Sequence, residues 1–216
     1  MEIADGVERL EGGKDSMKQS RARRGGITAA ICLLWIGLVT AAGAQEMVLR
    51  CDAAQTSADF TLSDVFHTVH GAFQWKRGEI HFDPASGKVS GEIMFDATTG
   101  HSGSDARDRK MHKDVLESGR YPEISFRPDR VDGKVSASGT STAQVHGMFG
   151  IHGAEHEITV PVVVKLAGDR WESSAHFQVP YVKWGLKNPS ALFLRVGDIV
   201  DIDFRAAGSL VPSVVF

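Results

Sequence analysis

Histidine is the residue type that stands out for chemistry. All nine histidines lie between His67 and His176. His67 and His70 are three apart, and His152 and His156 are four apart. Four apart on a helix would put two imidazoles on one side, in reach of one metal ion. Gly150, Gly153 and strand-like flanks instead predict a turn around His152. On a strand the two rings share a face but stand too far apart for one ion. A metal site would need convergence with His67, His70 or His146 in three dimensions. Without it these are surface or hydrogen-bonded histidines, and no metal ligand is assigned.

Nucleophilic and phosphate chemistry find less support. The chain contains no Gly-x-Ser-x-Gly, no His-Glu-x-x-His and no phosphate-binding glycine loop. Asp105, Asp108 and Asp114 suit the solvated face of a helix. Glu155 and Glu157 flank His156 at a spacing common in turns. No catalytic residue and no cofactor is expected. The formal charge of -3 offers no basic field for nucleic acid.

The elements that carry these residues are mostly short and alternating. Phe60 and Leu62 alternate with Asp59, Thr61 and Ser63. Val69, Gly71, Phe73 and Trp75 share one parity, as do Val89, Gly91, Ile93 and Phe95. Period-two patterns mark strands with one buried face. Asp83-Pro84-Ala85-Ser86-Gly87 is a turn, because proline fixes φ and glycine permits positive φ. Further strands are expected at Ile124–Phe126, 139–151, 156–166, 171–179 and 199–204. Pro161 removes a ladder hydrogen bond and so belongs at an edge or bulge.

One segment has helical spacing. Ser104 is a candidate cap, and Asp105 to Glu117 carries Met111, Val115 and Leu116 on one side. Many strands, regular turns and one short amphipathic helix predict an all-β fold closed into an antiparallel barrel. Twenty-three glycines against seven prolines suit that balance.

The N-terminal segment predicts export. Residues 18–24 are basic, 27–41 are uncharged and apolar, and Ala42-Gly43-Ala44 ends in small residues. That is the order of a secretory signal, with cleavage expected between Ala44 and Gln45. An uncleaved membrane anchor is the alternative, since the apolar run nears the length that spans a bilayer. Residues 1–16 form an acidic preface, and Glu11-Gly12-Gly13 can be encoded by a purine-rich run upstream of Met17. Translation is therefore expected to begin at Met17. Residues 17–44 are then the signal peptide, and 45–216 one periplasmic or secreted domain. After processing, Cys51 is the single cysteine left, so no internal disulfide is available.

Six segments in order carry a resemblance: His67-Thr68-Val69-His70-Gly71-Ala72-Phe73, Gly78-Glu79-Ile80, Met111 to Glu117, Tyr121-Pro122-Glu123-Ile124-Ser125-Phe126, Gly147 to Gly153, and Val182-Lys183-Trp184-Gly185-Leu186. Over about residues 50–207 the chain resembles the YceI-like family of exported lipid-binding proteins. The resemblance implies a lipocalin-like, extended antiparallel barrel. It also implies an interior that holds a long isoprenoid chain, either a polyprenyl lipid or a quinone tail. His152-Gly153-Ala154-Glu155-His156 departs from the family pattern, which has a Gly-x-Thr type of turn there.

A barrel of eight strands has room for one small ligand if large side chains do not fill it. The candidate inward residues are Phe60, Leu62, Phe73, Trp75, Ile93, Phe95, Phe126, Phe149 and Phe177. Met111, Val115, Leu116 and Trp184 are candidates for the mouth, where an apolar helix face could act as a lid or touch a membrane transiently. Each aromatic could equally pack a solid core. A metal-dependent enzyme and a ligand-free interaction barrel remain the alternatives. The oligomeric state stays open, a dimer included.

Overall fold

The computed structural model describes residues 46–63, 68–190 and 196–212. The expectations for the start site, the signal segment, its cleavage point and His67 lie outside the described residues.

Nine strands form one antiparallel sheet closed on itself. They are β1 (Met47–Cys51), β2 (Ser57–Ser63), β3 (Thr68–Phe82), β4 (Val89–His101), β5 (Glu123–Asp132), β6 (Gly139–Ile151), β7 (Ala154–Ala167), β8 (Arg170–Val179) and β9 (Val200–Pro212). β1 and β2 share one place in the wall. β1 pairs with the end of β3 and the end of β9, and β2 pairs with their beginnings. A 3₁₀ turn at Ala53–Gln55 joins the two halves, with the Asp52 carboxylate accepting from Ala54 N at 3.0 Å. The barrel therefore has eight staves, and the pairing of β3 with β4 closes it.

The turns follow from local chemistry. Gly87 sits at φ +72° in the β3–β4 turn, and the Asp83 carboxylate accepts from Ala85 N at 2.9 Å. The β6–β7 hairpin turns on His152 (φ +52°) and Gly153 (φ +73°). Two consecutive positive φ values make it the two-residue turn that matches strand twist. The turn expected around His152 is thus present, with histidine in a conformation that glycine or asparagine usually takes. Pro161 sits where the β7–β8 ladder stops. β7 pairs with β8 only from Val162 onward, while β6 stays paired throughout.

The expected helix divides. Asp105–Lys110 (α1) is α-helical, and Met111–Val115 widens into a π turn. Ser104 stands at the N-cap without a side-chain hydrogen bond. The Asp108 carboxylate instead accepts from Ser102 N at 2.9 Å and from its hydroxyl. The Ser102 carbonyl in turn accepts from Arg107 Nη2 at 2.6 Å. His112 pins the segment to the barrel: its Nε2 lies 2.8 Å from the Gly100 carbonyl and its Nδ1 3.0 Å from the Ser118 hydroxyl. Val115 and Leu116 then enter the core beside Ile151, Val179, Tyr181 and Leu186. The helix therefore lies across one end of the barrel.

Gly71 and Gly78 on β3 leave room for the Phe60 and Trp75 rings to lie against the wall. A Cβ on Gly71 would stand 2.2 Å from Phe60 Cζ and 2.4 Å from the His101 carbonyl. The Phe60 ring is itself packed on Phe73, with centroids 5.3 Å apart. Gly71→Ala is expected to lower stability by about 1–3 kcal/mol through overpacking, read as a shift in the urea midpoint at unchanged slope.

Candidate functional site

The inward faces of the strands enclose an apolar cavity of about 870 Å³. On β8 every inward residue lines it: Trp171, Ser173, Ala175, Phe177 and Val179. At roughly 3.3 Å per residue those positions span roughly 26 Å, so the cavity follows the barrel axis. At roughly 30 Å³ for each water-sized group it holds on the order of 30 such groups.

Its two ends differ. Beside α1 the lining includes Ala106, Arg107 and Lys110, which are exposed, so among the described residues the cavity reaches solvent there. Ser102, Ser104, Thr68, Val69, Pro189 and Val196 complete that rim. At the opposite end Met47, Leu49, Phe82, Val89, Val131, Val135 and Leu210 line the cavity. Met47, Leu49 and Val135 pack there against both the Ile80–Phe82–Val89 cluster and the Leu166–Trp171–Ala206 cluster, so among the described residues this end is filled by packed side chains. Arg107 and Lys110, the two charged lining residues, are both at the open end. Each is held by the chain itself: Arg107 Nε donates to the Ser102 hydroxyl at 2.7 Å, and Lys110 Nζ lies 3.8 Å from the Asp114 carboxylate.

Of the residues expected to face inward, Phe60, Leu62, Phe73, Ile93, Phe95, Phe126, Phe149 and Phe177 all line the cavity. Trp75 does not. A backbone irregularity between Trp75 and Arg77 shifts the register. The indole packs edge-on against Phe95, with centroids 5.6 Å apart, and over the bare Cα of Gly78. Of the mouth residues, Met111, Val115 and Leu116 line the cavity. Trp184 lies outside the lining, stacked on His156 at 4.2 Å and 2° and tilted against Phe149 at 5.7 Å. With Ile158 it packs against the core cluster on the part of the wall where β7 has left β8.

Parity arguments passed over several lining residues: Val160, Val162 and Val164 on β7, Ala143 and Val145 on β6, and Trp171 on β8. Trp171 shares parity with Phe177, so the signal was present in the alternation. Trp171 is 3% exposed, and its Nε1–H is buried without an acceptor. An unmet buried donor of this kind costs about 1–3 kcal/mol.

The histidines do not gather. His70 meets the Thr61 hydroxyl, and His81 lies between Glu46 and Glu79. His176 lies 3.0 Å from Asp203. His146, on the outer face of β6, is held at 2.7 Å by Asp129 and 2.8 Å by Glu157. His152 packs against Tyr121, with its Nε2 3.4 Å from the Glu117 carboxylate. Among the described residues no three His, Cys, Asp or Glu side chains come close enough to share a metal ion.

The YceI-like domain matches residues 49–207. The chain belongs to the YceI-like family. Solved structures share the fold. BcnA from Burkholderia cenocepacia is 20% identical with a TM-score of 0.64, covering 73% of this chain and 99% of its own. A polyisoprenoid binding domain from Saccharophagus degradans, implicated in plant cell wall breakdown, is 15% identical with a TM-score of 0.60. That match covers 76% of this chain and 98% of the other. The YCEI protein of Campylobacter jejuni is 15% identical with a TM-score of 0.54, over 67% and 86%. No curated protein sequence matches this YceI-like chain.

Two histidines give this YceI-like barrel opposed responses to pH. Hydrogen bonds to Asp129 and then Glu157 raise the His146 pKa, so its contribution is present at low pH and lost as pH rises through the raised value. Burial lowers the His156 pKa, so stability is present above the ordinary histidine value and lost as pH falls below it. His146→Gln is expected to depress Tm most between about pH 5 and 6.5 and to converge on the parent by about pH 9. His156→Phe is expected to flatten the decline in Tm below about pH 6.5. Thermal unfolding across pH checks both.

Proposed function

We propose that this protein is an exported binding protein that holds one isoprenoid-type apolar lipid, a polyprenyl chain or a quinone tail, along the barrel axis. The observation that carries this reading is the closed-ended cavity of about 870 Å³, walled almost wholly by aliphatic and aromatic side chains. A long hydrocarbon chain gains roughly 25 cal/mol for each Å² of apolar surface removed from water and needs few polar partners. The structural likeness to a polyisoprenoid binding domain supports the same ligand class. The protein's part is to bind rather than to catalyse: the wall of the cavity offers surface, and His70, His81, His146 and His176 outside it face carboxylates or a hydroxyl.

The basic, apolar and small-residue order of the leader supports a periplasmic or secreted site of action. There the open end beside α1 would be the route by which a lipid enters and leaves, through transient contact with a membrane surface.

Native mass spectrometry of protein purified from its own host is expected to show one lipid mass per barrel, released as an isoprenoid on organic extraction. A barrel that is always empty, or filled with ordinary diacyl lipid, would overturn the assignment. Ala175 lies midway along the inward row of β8. Ala175→Phe is expected to block the channel and cut isoprenoid binding more than tenfold. The filled space holds the urea midpoint near the parent value, which separates loss of room from loss of fold.

A further inference from the structure

The wall of the barrel has a seam. β7 pairs with β8 only from Val162 to Ala167. Before that, Ala154–Pro161 is laddered to β6 alone, and His176–Val179 of β8 is laddered to β9 alone. Residues 180–186 pack over this stretch. Their backbone hydrogen bonds run within the segment and to Val179, and among the described residues none reaches β7. Side-chain packing holds the segment there, through Tyr181, Val182, Trp184 and Leu186. Trp184 lies flat on His156, with centroids 4.2 Å apart and planes 2° apart. It also leans on Phe149, a ring that lines the cavity. His156 Nε2 is buried and has no hydrogen-bond partner among the described residues.

No neighbouring charge suits a proton at that nitrogen. Within β7, Glu155 is paired with Arg127 and Glu157 with His146. Across the ladder in β6 the partner of His156 is Phe149. At the hairpin, His152 faces Glu117 and Tyr121. In the covering segment Lys183 is exposed, and the Tyr181 hydroxyl donates to the Gly197 carbonyl at 2.7 Å. Burial pushes that phenol up to about 12, so it stays neutral. A cation over an indole face is attracted to it. Desolvation by burial nonetheless lowers the His156 pKa, so the neutral ring is the one that fits.

We propose that the Trp184–His156 stack is a proton-operated gate over a side port in the barrel wall. Protonation of His156 puts an N–H where no acceptor stands, so the ring must turn out to water. Turning breaks the stack, frees Trp184 from β7 and uncovers the seam beside Phe149. Acid thereby opens a second route to the cavity, separate from the open end beside α1, and neutral pH keeps it shut. The inference rests on the lipid-binding reading for its use, and on the seam alone for its movement.

The test loads the mature protein with a pyrene-labelled farnesyl chain and follows its release into excess phosphatidylcholine vesicles. Between pH 7.5 and 5.5 the release rate is expected to rise about tenfold in the parent. In His156→Phe, which keeps a stacked ring and takes no proton, it should change less than about twofold. Trp184→Ala should release fast at both pH values, and His146→Gln should keep the acid response. Hydrogen exchange on the empty, unsubstituted protein, corrected for intrinsic rates, should show 156–161 and 180–186 losing protection at pH 5.5. A parent release rate that ignores pH, or an acid response that survives in His156→Phe, would overturn the gate while leaving the lipid reading intact. Failure of both the labelled chain and farnesol to bind would overturn the lipid reading. The gate is then decided by exchange alone, and equal protection of the two segments at both pH values overturns it.

Discussion

Closure of the sheet through β3 is the constraint on which the rest of the molecule depends. β3 is the longest strand, and it pairs with β1, β2 and β4. Closing the ring removes the open edges that an exposed sheet would present. It also fixes an interior whose width depends on strand number rather than on side-chain volume. Inward residues must then fill a space they did not size. The two irregularities in β3, between Ala72 and Gln74 and between Trp75 and Arg77, bend the strand around that interior. Gly71 and Gly78 make room for Phe60 and Trp75 to lie flat against the wall. These choices thin the wall toward its own backbone and leave the axis free.

Much of this was legible in the residues. Alternation placed Phe60, Leu62, Ile93, Phe95, Phe149 and Phe177 on the inner face, because a strand's parity survives until a bulge interrupts it. Where a bulge does interrupt, parity fails: Trp75 is one position from the irregularity, and its indole turns to Phe95 instead of the cavity. Trp184 belongs to a loop, where no periodicity operates. Its place beside His156 depends on the parting of β7 from β8, a long-range event marked locally only by Pro161. β1 is too short at Met47–Cys51 to show a pattern of its own. β9 runs on to Pro212 through Ala206, Ala207 and Gly208, residues whose smallness hides their alternation.

The histidines show how strand geometry disposes of a compositional signal. His70, His81, His146 and His176 stand on outward faces among acids and hydroxyls. Neighbouring outward positions on paired strands are close enough for one imidazole to find one or two oxygen acceptors. Among the described residues they are not arranged to bring several imidazoles around a point. His112 is spent on holding the helix to β4, and His152 on turning the β6–β7 hairpin. A residue type that often marks a metal site thus serves here as a set of local hydrogen-bonding pins.

An axial cavity has a thermodynamic consequence for the barrel itself. Side chains facing empty space forgo dispersion contacts on that side, and a wall this apolar gives water few partners. Without an occupant, stability therefore rests on the ladder and on packed clusters at the ends. Val115, Leu116, Ile151, Val179, Tyr181 and Leu186 pack under the helix. Ile80, Phe82 and Val89, with Leu166, Trp171 and Ala206, pack at the closed end. The middle of the tube is held by backbone pairing. An apolar chain lying there completes the contacts of the lining on every side at once. Binding and stability are then linked through the same surface, in proportion to the logarithm of ligand concentration over its dissociation constant. A barrel that takes up such a chain must stay folded at its ends while its centre is empty.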